Sequence, residues 1–216
     1  MWRAPETPGH QPTRLGERSW SQATFFPPTG DRKLGLSRGL FAYVVQKHRA
    51  TALHYDFRLE IGGAMPSWAI PKGPTLDSTV KRLAMPTEVH ELEYRNFEGI
   101  IGEGSYGAGT VMIWDEGFYT PEVEVRKGVR ELVKDREDAG EVAEAGLRDG
   151  NLKFMLYGKK LNGSFALVKT KGIGGSREAW LLIKHRDECC VAGYDANDYD
   201  FSAVTNRSLA QITSEG

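Results

Sequence analysis

The chain has 216 residues, of which 40% are hydrophobic and 26% are charged, and this balance indicates one ordinary soluble globular domain. The formal net charge is only −1, so an overall basic character cannot drive binding to nucleic acid, and any such binding needs a local basic surface. No run of about 20 apolar residues occurs, which excludes a membrane-spanning helix.

The two cysteines, Cys189 and Cys190, are adjacent in sequence and cannot form the spaced disulfide framework of small secreted domains. The first residues carry prolines and scattered charges where a signal peptide needs an apolar stretch. We therefore expect a cytoplasmic protein in a reducing compartment, without a membrane partner.

Residues 1–38 are rich in Pro, Gly, Arg and Ser with little periodicity, which predicts a partly ordered N-terminal tail or strap. Residues 39–194 contain short β-prone runs between turns that contain Gly or Pro, a spacing typical of a closed or nearly closed β-barrel. We thus expect a mainly β fold with a few short helices. The predicted strands cover residues 40–45, 54–61, 67–70, 109–114, 152–157, 164–170 and 180–184.

Three local features complete this outline. Gly62-Gly63 is a good hairpin turn, and the Ala- and Glu-rich segment 138–147 predicts a helix that covers a barrel end. Residues 195–216 are mostly polar and predict a C-terminal tail, with at most one turn of helix over residues 208–212.

The segment 54–60 alternates polar and apolar residues. Because side chains of a strand alternate faces, one face of this segment carries only polar groups, while the other carries aromatic and aliphatic groups that can pack. The polar face has His54, Asp56, Arg58 and Glu60.

Imidazole and carboxylate groups on this face are ligand types for divalent transition metals. His48 is near enough in sequence to return across a loop as a third ligand beside His54 and Asp56. Two histidines and one carboxylate leave coordination positions open, as catalysis requires, and Mn²⁺ or Zn²⁺ would both fit.

Arg58 points to a phosphoryl substrate, because its planar guanidinium matches phosphate geometry and stays protonated. His90 and Tyr94 are four residues apart and share a face in either a helix or a strand. His90 is a candidate to donate to a phosphate oxygen or to protonate a leaving alkoxide, and Tyr94 is a candidate hydrogen-bond donor.

The alternative interpretation is a solvated strand face with structural histidines, which is the commoner meaning of a lone His-x-Asp pattern. Three of the five histidines fall between residues 48 and 90, together with Asp56, Arg58 and Tyr94, and this grouping weakens that alternative relative to a metal or phosphate site.

Several separated blocks closely resemble the 3′-phosphoesterase module of bacterial DNA ligase D, over roughly residues 40–212. The resemblance implies a manganese-dependent enzyme of DNA end joining on a compact β-barrel, which trims a 3′-terminal ribonucleotide and then removes the exposed 3′-phosphate. The blocks are Gln46-Lys47-His48, the segment from Leu53 to Glu60, Trp68-Ala69-Ile70-Pro71-Lys72-Gly73, the segment from Gly104 to Thr110, and Trp114-Asp115.

The resemblance also implies roles for individual residues. The implied metal ligands are His48, His54 and Asp56; the implied catalytic contacts to phosphate are Arg58, His90 and Tyr94; basic groups near the phosphate are Lys72 and Arg82; and the groups that orient the ligands or Arg58 are Gln46, Glu60 and Glu88.

Two departures from the family pattern shape the expected activity. Family modules usually begin with Arg-Asp-Phe and Thr-x-Glu-Pro elements, whereas this chain has Arg18-Ser19-Trp20 and Thr24-Phe25-Phe26-Pro27, which favours the phosphatase step over ribonucleoside removal. The chain also has no Lys-x-Asp-Gly motif for adenylate formation. We therefore expect a separate ligase and polymerase as partners, with DNA or RNA-terminated DNA 3′ ends as substrate.

Two rival functions stay open on the sequence. A non-catalytic β-barrel could bind single strands by stacking bases on exposed aromatic residues. A metal phosphatase could instead act on small phosphorylated metabolites. The candidate stacking residues are Trp68, Tyr106, Trp114 and Trp180.

Overall fold

A computed structural model describes residues 39–170 and 179–215 of the chain. Strands dominate, and the predicted mainly β class is confirmed. The strands are β1 (Phe41–Arg49), β2 (Leu53–Leu59), β3 (Ser67–Ile70), β4 (Lys81–Pro86), β5 (Gly99–Ile101), β6 (Gly109–Arg126), β7 (Val129–Leu132), β8 (Asn151–Gly158), β9 (Asn162–Thr170) and β10 (Ala179–Lys184). The α-helices are α1 (Arg136–Asp149) and α2 (Leu209–Glu215), and 3-10 helices cover Leu92–Asn96 and Ala196–Tyr199.

Eight of the strands close into a barrel, as predicted. The hydrogen-bonded order is β1-β2-β3-β4-β10-β9-β8-β6, and β6 also pairs with β1. All of these pairs are antiparallel. The two additional strands, β5 and β7, pair with β6 outside this ring. Closure leaves the ring without an exposed edge, which removes a common route to aggregation.

The barrel interior holds an aromatic and aliphatic core to which alternate residues of each strand contribute. Phe154 stacks between Phe57 and Phe165, with ring centroids 6.0 and 6.3 Å away. Tyr55 meets Trp114 edge to face at 5.4 Å. Because strand side chains alternate, the neighbours of these residues along each strand point outwards, and on β2 those neighbours are the candidate site residues.

Strand β6 is three times longer than the predicted strand 109–114, since it continues through Asp115, Glu116 and Gly117. A Cβ atom on Gly117 would lie 2.1 Å from the Tyr157 carbonyl oxygen, so only glycine permits the pairing of β6 with β8 here. A bulge between Val45 and Gln46 in the β1 pairing leaves Trp114 as the extra residue of β6.

Strands β4, β5 and β7 were not predicted, because they lack the apolar alternation of a half-buried strand. β5 has only three residues, and β7 has a largely exposed pattern. The prediction of at most one helical turn near residue 208 was wrong: α2 has seven residues. Leu209 and Ile212 are buried in the barrel core, and this packing supports a helix that its local sequence would not.

The predicted hairpin turn at Gly62-Gly63 is present between β2 and β3. Both glycines have positive φ, 61° and 79°, and Ile61 and Ala64 exchange backbone hydrogen bonds across them. The predicted helix 138–147 also forms, as the slightly longer α1. The Asp135 carboxylate caps its N-terminus, and it packs on the barrel through two buried alanines, Ala139 and Ala143.

Residues 87–108 cross the outer surface of the barrel and cover the polar face of β2. Met65 and His90 exchange backbone hydrogen bonds of 2.8 and 3.1 Å at one end of this segment, and β5 pairs with β6 at the other. A small second core of Val44, Met65 and Ile113 lies beneath it. None of the helices in the described residues is long and apolar enough to cross a membrane.

Candidate metal centre

The candidate ligands come from the β1–β2 hairpin, whose register brings them together. His48 pairs with His54, and Gln46 pairs with Asp56. Paired residues of an antiparallel ladder share one face, so all four side chains lie on the outer face of the barrel. The hairpin alone therefore places the two imidazoles and the carboxylate close together, without contacts between distant parts of the chain.

The three ligand groups converge. His48 Nδ1 lies 3.6 Å from Asp56 Oδ2, and His54 Nε2 lies 3.5 Å from Asp56 Oδ1. One ligand atom from each residue can be chosen so that all lie within 4.8 Å of one another. Ligand atoms bound about 2.1 Å from a common ion stand roughly 3 to 4 Å apart, so the spacing of this group fits a shared metal ion.

Backbone carbonyls determine the tautomer of both histidines. His48 Nε2 is 2.9 Å from the Gly107 oxygen, and His54 Nδ1 is 2.9 Å from the Ala52 oxygen. A carbonyl oxygen can only accept, so each of these nitrogens carries the proton and donates it. The other nitrogen of each ring faces Asp56 with a lone pair, which is the arrangement that holds metal-binding histidines in place.

The Asp56 carboxyl stays ionised in this setting. Burial acts to raise its pKa, but the nearby positive charge of Arg58 opposes burial, and the pKa of Asp56 lies below the ordinary value. Asp56 Oδ2 accepts a 3.0 Å hydrogen bond from Arg58 Nη2. An anionic carboxylate and two imidazole lone pairs thus point at one another, which favours a cation between them.

Arg58 is buried beside the ligands and its guanidinium is held on several sides. Burial lowers its pKa, against the opposing effect of Asp56, yet an arginine remains a cation at any working pH. Besides Asp56, the guanidinium contacts Gln46 Oε1 at 2.7 Å, Ser67 Oγ at 2.8 Å and His90 Nδ1 at 2.9 Å. These contacts fix its plane next to the candidate metal position.

His90 sits on the other side of Arg58 from Asp56. Burial and the charge of Arg58 lower the pKa of its imidazole, so the ring is neutral near pH 7. Its Nδ1 lies 2.9 Å from Arg58 Nη1, a donor, and 3.0 Å from the Glu88 carbonyl oxygen, an acceptor. Nε2 is 3.7 Å from Glu88 Oε1, at the rim of the groove that His90 lines.

Tyr94 is joined to this group through its ring. The guanidinium carbon of Arg58 lies 5.1 Å from the ring centroid, and the His90 ring lies 4.6 Å away. Gln46 fastens the 3-10 helix that carries Tyr94, because its amide nitrogen donates to the carbonyls of Tyr94 and Phe97 at 3.1 and 2.9 Å. Gln46 thus positions both Arg58 and Tyr94.

Three other predicted residues are placed apart from this group. The Glu60 carboxylate accepts from the Ala42 amide and from Arg136, so it holds α1 and not Arg58. Arg82 pairs with Leu182 on the inner face of β4, opposite to the face that carries Asp56. Lys72 lies exposed in the turn after β3, at the end of the β2–β3 pair where His54 stands.

Sequence reasoning missed two contributors, Ser67 and the backbone of Gly107. Ser67 Oγ accepts from Arg58 and donates to the Met65 carbonyl, which completes the support of the guanidinium. Ser67 belongs to the Ser67–Ile70 strand that was predicted, but no spacing rule links it to Arg58. The Gly107 carbonyl could not be found from residue type, because its role belongs to the backbone.

Comparison with known proteins fits this architecture. The DNA Ligase D 3′-phosphoesterase domain family matches residues 46–169, a span that begins at Gln46 and contains every ligand candidate. The chain belongs to this family.

Several characterised relatives contain the same region. The chain is 44% identical over 160 residues to the multifunctional non-homologous end joining protein LigD of Pseudomonas aeruginosa. This aligned region is 74% of the chain and 17% of the relative. Identity is 39% over 162 residues to LigD of Mycobacterium tuberculosis, covering 75% and 17%, and 34% over 171 residues to LigD of Mycolicibacterium smegmatis, covering 79% and 20%. The chain thus spans about a fifth or less of the length of these relatives.

Proposed function

We propose that the protein is a metal-dependent phosphoesterase that removes 3′-phosphate from DNA ends and leaves a 3′-hydroxyl. The observation that carries this proposal is the convergence of His48, His54 and Asp56 beside the buried guanidinium of Arg58. Family membership supports the same class of reaction. The proposed metal is Mn²⁺, with Zn²⁺ or another divalent transition metal as the alternative that this donor set would also accept.

His48, His54 and Asp56 would hold the ion, and the donor chemistry fits, since both imidazoles present lone pairs to the carboxylate. Three protein ligands leave positions for substrate and water. A bound divalent ion supplies Lewis-acid polarisation of a phosphate oxygen. The Gly107 and Ala52 carbonyls keep both rings oriented before substrate arrives.

Arg58 and His90 would stabilise the phosphate during hydrolysis. Phosphoryl transfer depends mainly on positioning and electrostatic stabilisation, and a buried, rigidly held guanidinium supplies both. The imidazole of His90 would donate to a phosphate oxygen or to the leaving 3′ oxygen, while water provides the attacking oxygen. Tyr94 would keep the guanidinium and imidazole in place through its ring and offer its hydroxyl as a further donor.

The substrate we propose is a DNA or RNA-terminated DNA 3′ end. Lys72, exposed at the end of β2 that holds His54, is a candidate contact for the strand leading to the site. Ribonucleoside removal would be the weaker activity, since the chain departs from the family pattern at Arg18-Ser19-Trp20, which lies outside the described residues. Partners would be a ligase and a polymerase of end joining in the cytoplasm.

The structure counts against the simplest form of the rival nucleic-acid module. Three of its four candidate stacking residues, Trp68, Trp114 and Trp180, are buried in the barrel core. They cannot stack on bases. Tyr106 is the exposed member of that set.

A phosphate-release assay on a 3′-phosphorylated primer-template tests the proposal. Metal-depleted protein should be inactive, and Mn²⁺ should restore release of inorganic phosphate and produce a primer end that a polymerase extends. His54→Ala should abolish release while the protein keeps its circular dichroism spectrum, because the His54 side chain is partly exposed and outside the core. A free 3′-mononucleotide at equal concentration serves as the comparison substrate.

Each outcome selects one function. Metal-restored release that is faster from the primer-template supports the proposal. Equal or faster release from the mononucleotide identifies a phosphatase of small metabolites. Salt-sensitive, metal-independent binding without release identifies a binding module, and undiminished release by His54→Ala removes the metal assignment.

A further inference from the structure

A groove beside the candidate metal centre has both polar and apolar lining. Its polar lining residues are Glu88 and His90, and its apolar and aromatic lining includes Phe97, Ile100, Ile101 and Tyr106. His90 contacts the guanidinium of Arg58, which suits an anionic phosphate. The apolar and aromatic lining suits a flat apolar group attached to that phosphate.

Tyr106 is unusually exposed for an aromatic residue in this protein. Its relative accessibility is 86%, whereas Tyr43, Tyr55 and Tyr119 in the barrel core are at 1% or less. Ile100, at 42%, is also exposed in the same groove. Apolar surface left in water next to a binding site marks a contact surface for a ligand.

The loop that carries Tyr106 is anchored to the metal centre itself. The carbonyl of the next residue, Gly107, accepts the 2.9 Å hydrogen bond from His48 Nε2. Gly107 has φ of 76° and Gly104 has φ of 86°, conformations that let this short loop turn sharply over the ligands. Tyr106 is therefore one peptide unit away from a group that orients a metal ligand.

The groove also has a stacked aromatic wall. The Tyr94 and Phe97 rings stack with centroids 5.5 Å apart and an interplanar angle of 18°. Arg58 lies against the Tyr94 ring on the side of the metal centre. These two rings and Tyr106 line the same groove.

We propose that this groove binds the nucleobase of the 3′-terminal nucleotide, with Tyr106 as the residue on which that base stacks. The inference rests on the proposed function, because it takes the phosphate bound at Arg58 as its starting point. The base is joined to that phosphate through one sugar, so a groove that has both a polar group in contact with Arg58 and aromatic surface suits the two parts of one terminal nucleotide. Stacking tolerates any base, as end processing requires.

A substrate pair separates stacking from phosphate chemistry. One 3′-phosphorylated oligonucleotide carries a base on its terminal sugar, and its partner ends in an abasic sugar phosphate. Tyr106→Ala should lower kcat/KM about 10-fold on the substrate with the base and leave the abasic substrate nearly unchanged. Tyr106→Phe should behave as wild type on both, because the ring alone is needed.

Phe118→Ala provides the matched control, because Phe118 is also an exposed aromatic residue but lies on β6, where it pairs with Ala42 and Tyr157 outside the groove. It should leave both rates unchanged. Equal losses on both substrates in Tyr106→Ala, or no loss on either, would overturn the inference. So would a loss in Tyr106→Ala that Tyr106→Phe does not restore.

Photo-crosslinking gives a readout that does not depend on turnover. An oligonucleotide with 5-iodouracil as its 3′-terminal base and a 3′-phosphate is irradiated with the protein, and the crosslinked peptide is mapped by mass spectrometry. The expected site is Tyr106. A crosslink confined to residues outside the groove contradicts the inference.

The two assays also separate failure of the inference from failure of the proposed function. A crosslink at Tyr106 without phosphate release would reject the phosphatase and keep the base contact. If the wild-type protein released phosphate equally fast from the substrate with the base and from the abasic substrate, and no crosslink formed at Tyr106, the phosphatase would stand and the base contact would be rejected.

Discussion

His48 and His54 face each other across the β1–β2 hairpin, in register, with ring centroids 4.9 Å apart. Each ring turns its protonated nitrogen away to a backbone carbonyl and its lone pair towards Asp56. An ion held by both imidazoles and the carboxylate would bind the folded chain only, so ion binding and stability are coupled.

Mn²⁺ should therefore stabilise the protein, and Asp56→Asn should remove that effect. An ion at 100 times its dissociation constant adds about 2.7 kcal/mol to the free energy of unfolding. For a chain of this size that corresponds to roughly 5–10 °C in Tm, measured by differential scanning calorimetry. Glu103→Gln, an exposed carboxylate on the neighbouring loop, is the control and should keep the full shift. An undiminished shift in Asp56→Asn would show that the ion binds elsewhere.

Replacing Gln46 by leucine should weaken both the fold and the activity. The change leaves the Arg58 Nε–H and two carbonyls of the 3-10 helix without their buried partner, at a cost of about 2–4 kcal/mol in chemical denaturation. Gln46→Glu separates the two roles, because a carboxylate still accepts from Arg58 but repels the carbonyls of Tyr94 and Phe97. We expect Gln46→Glu to lie between wild type and Gln46→Leu in stability; equal stability of all three would contradict the proposed clamp.

Arg58→Lys should be a severe substitution despite its conserved charge. An ammonium group has no planar fork and cannot reach Gln46, Ser67, His90 and Asp56 at once. We expect kcat/KM for phosphate release to fall about 100-fold or more. Lys72→Arg, a charge-preserving change at an exposed position, should alter it little. Near-normal turnover in Arg58→Lys would mean that a point charge suffices.

His185 should make the protein sensitive to mild acid. Burial, together with the charges of Arg130 and Lys184, lowers the pKa of His185 to about 4, while in the unfolded chain it is about 6.5. Below pH 6.5 the unfolded chain binds the proton first, so the free energy of unfolding falls as the pH drops from about 6.5 to about 4.

The contribution of His185 can be isolated by comparison with His185→Gln, which keeps a donor for Ser164 Oγ. After allowance for its partial exposure, wild type should lose about 1–2 kcal/mol more than His185→Gln between pH 7 and pH 4. Urea denaturation at a series of pH values measures this difference. Parallel pH profiles for the two proteins would rule out the assigned role.

The chemistry of the site could be predicted from the sequence because it depends on local periodicity. Alternation along a strand places His54, Asp56 and Arg58 on one face whatever the rest of the chain does. Because few residues separate His48 from His54, a hairpin is the simplest structure that brings the two imidazoles together. The barrel followed from the spacing of β-prone runs, although β4, β5 and β7 lacked the alternation that would have revealed them.

Tertiary structure decided the contacts between residues distant in sequence. His90 reaches Arg58 because Met65 pairs with His90 across the outer surface, and Glu60 turns to Arg136 because β2 ends one residue before it. The sequence pattern alone would also have allowed Glu60 to contact Arg58, or His90 to lie away from it. Residue type and period restrict which face a side chain occupies, whereas strand order, crossovers and backbone carbonyls such as that of Gly107 determine what it meets there.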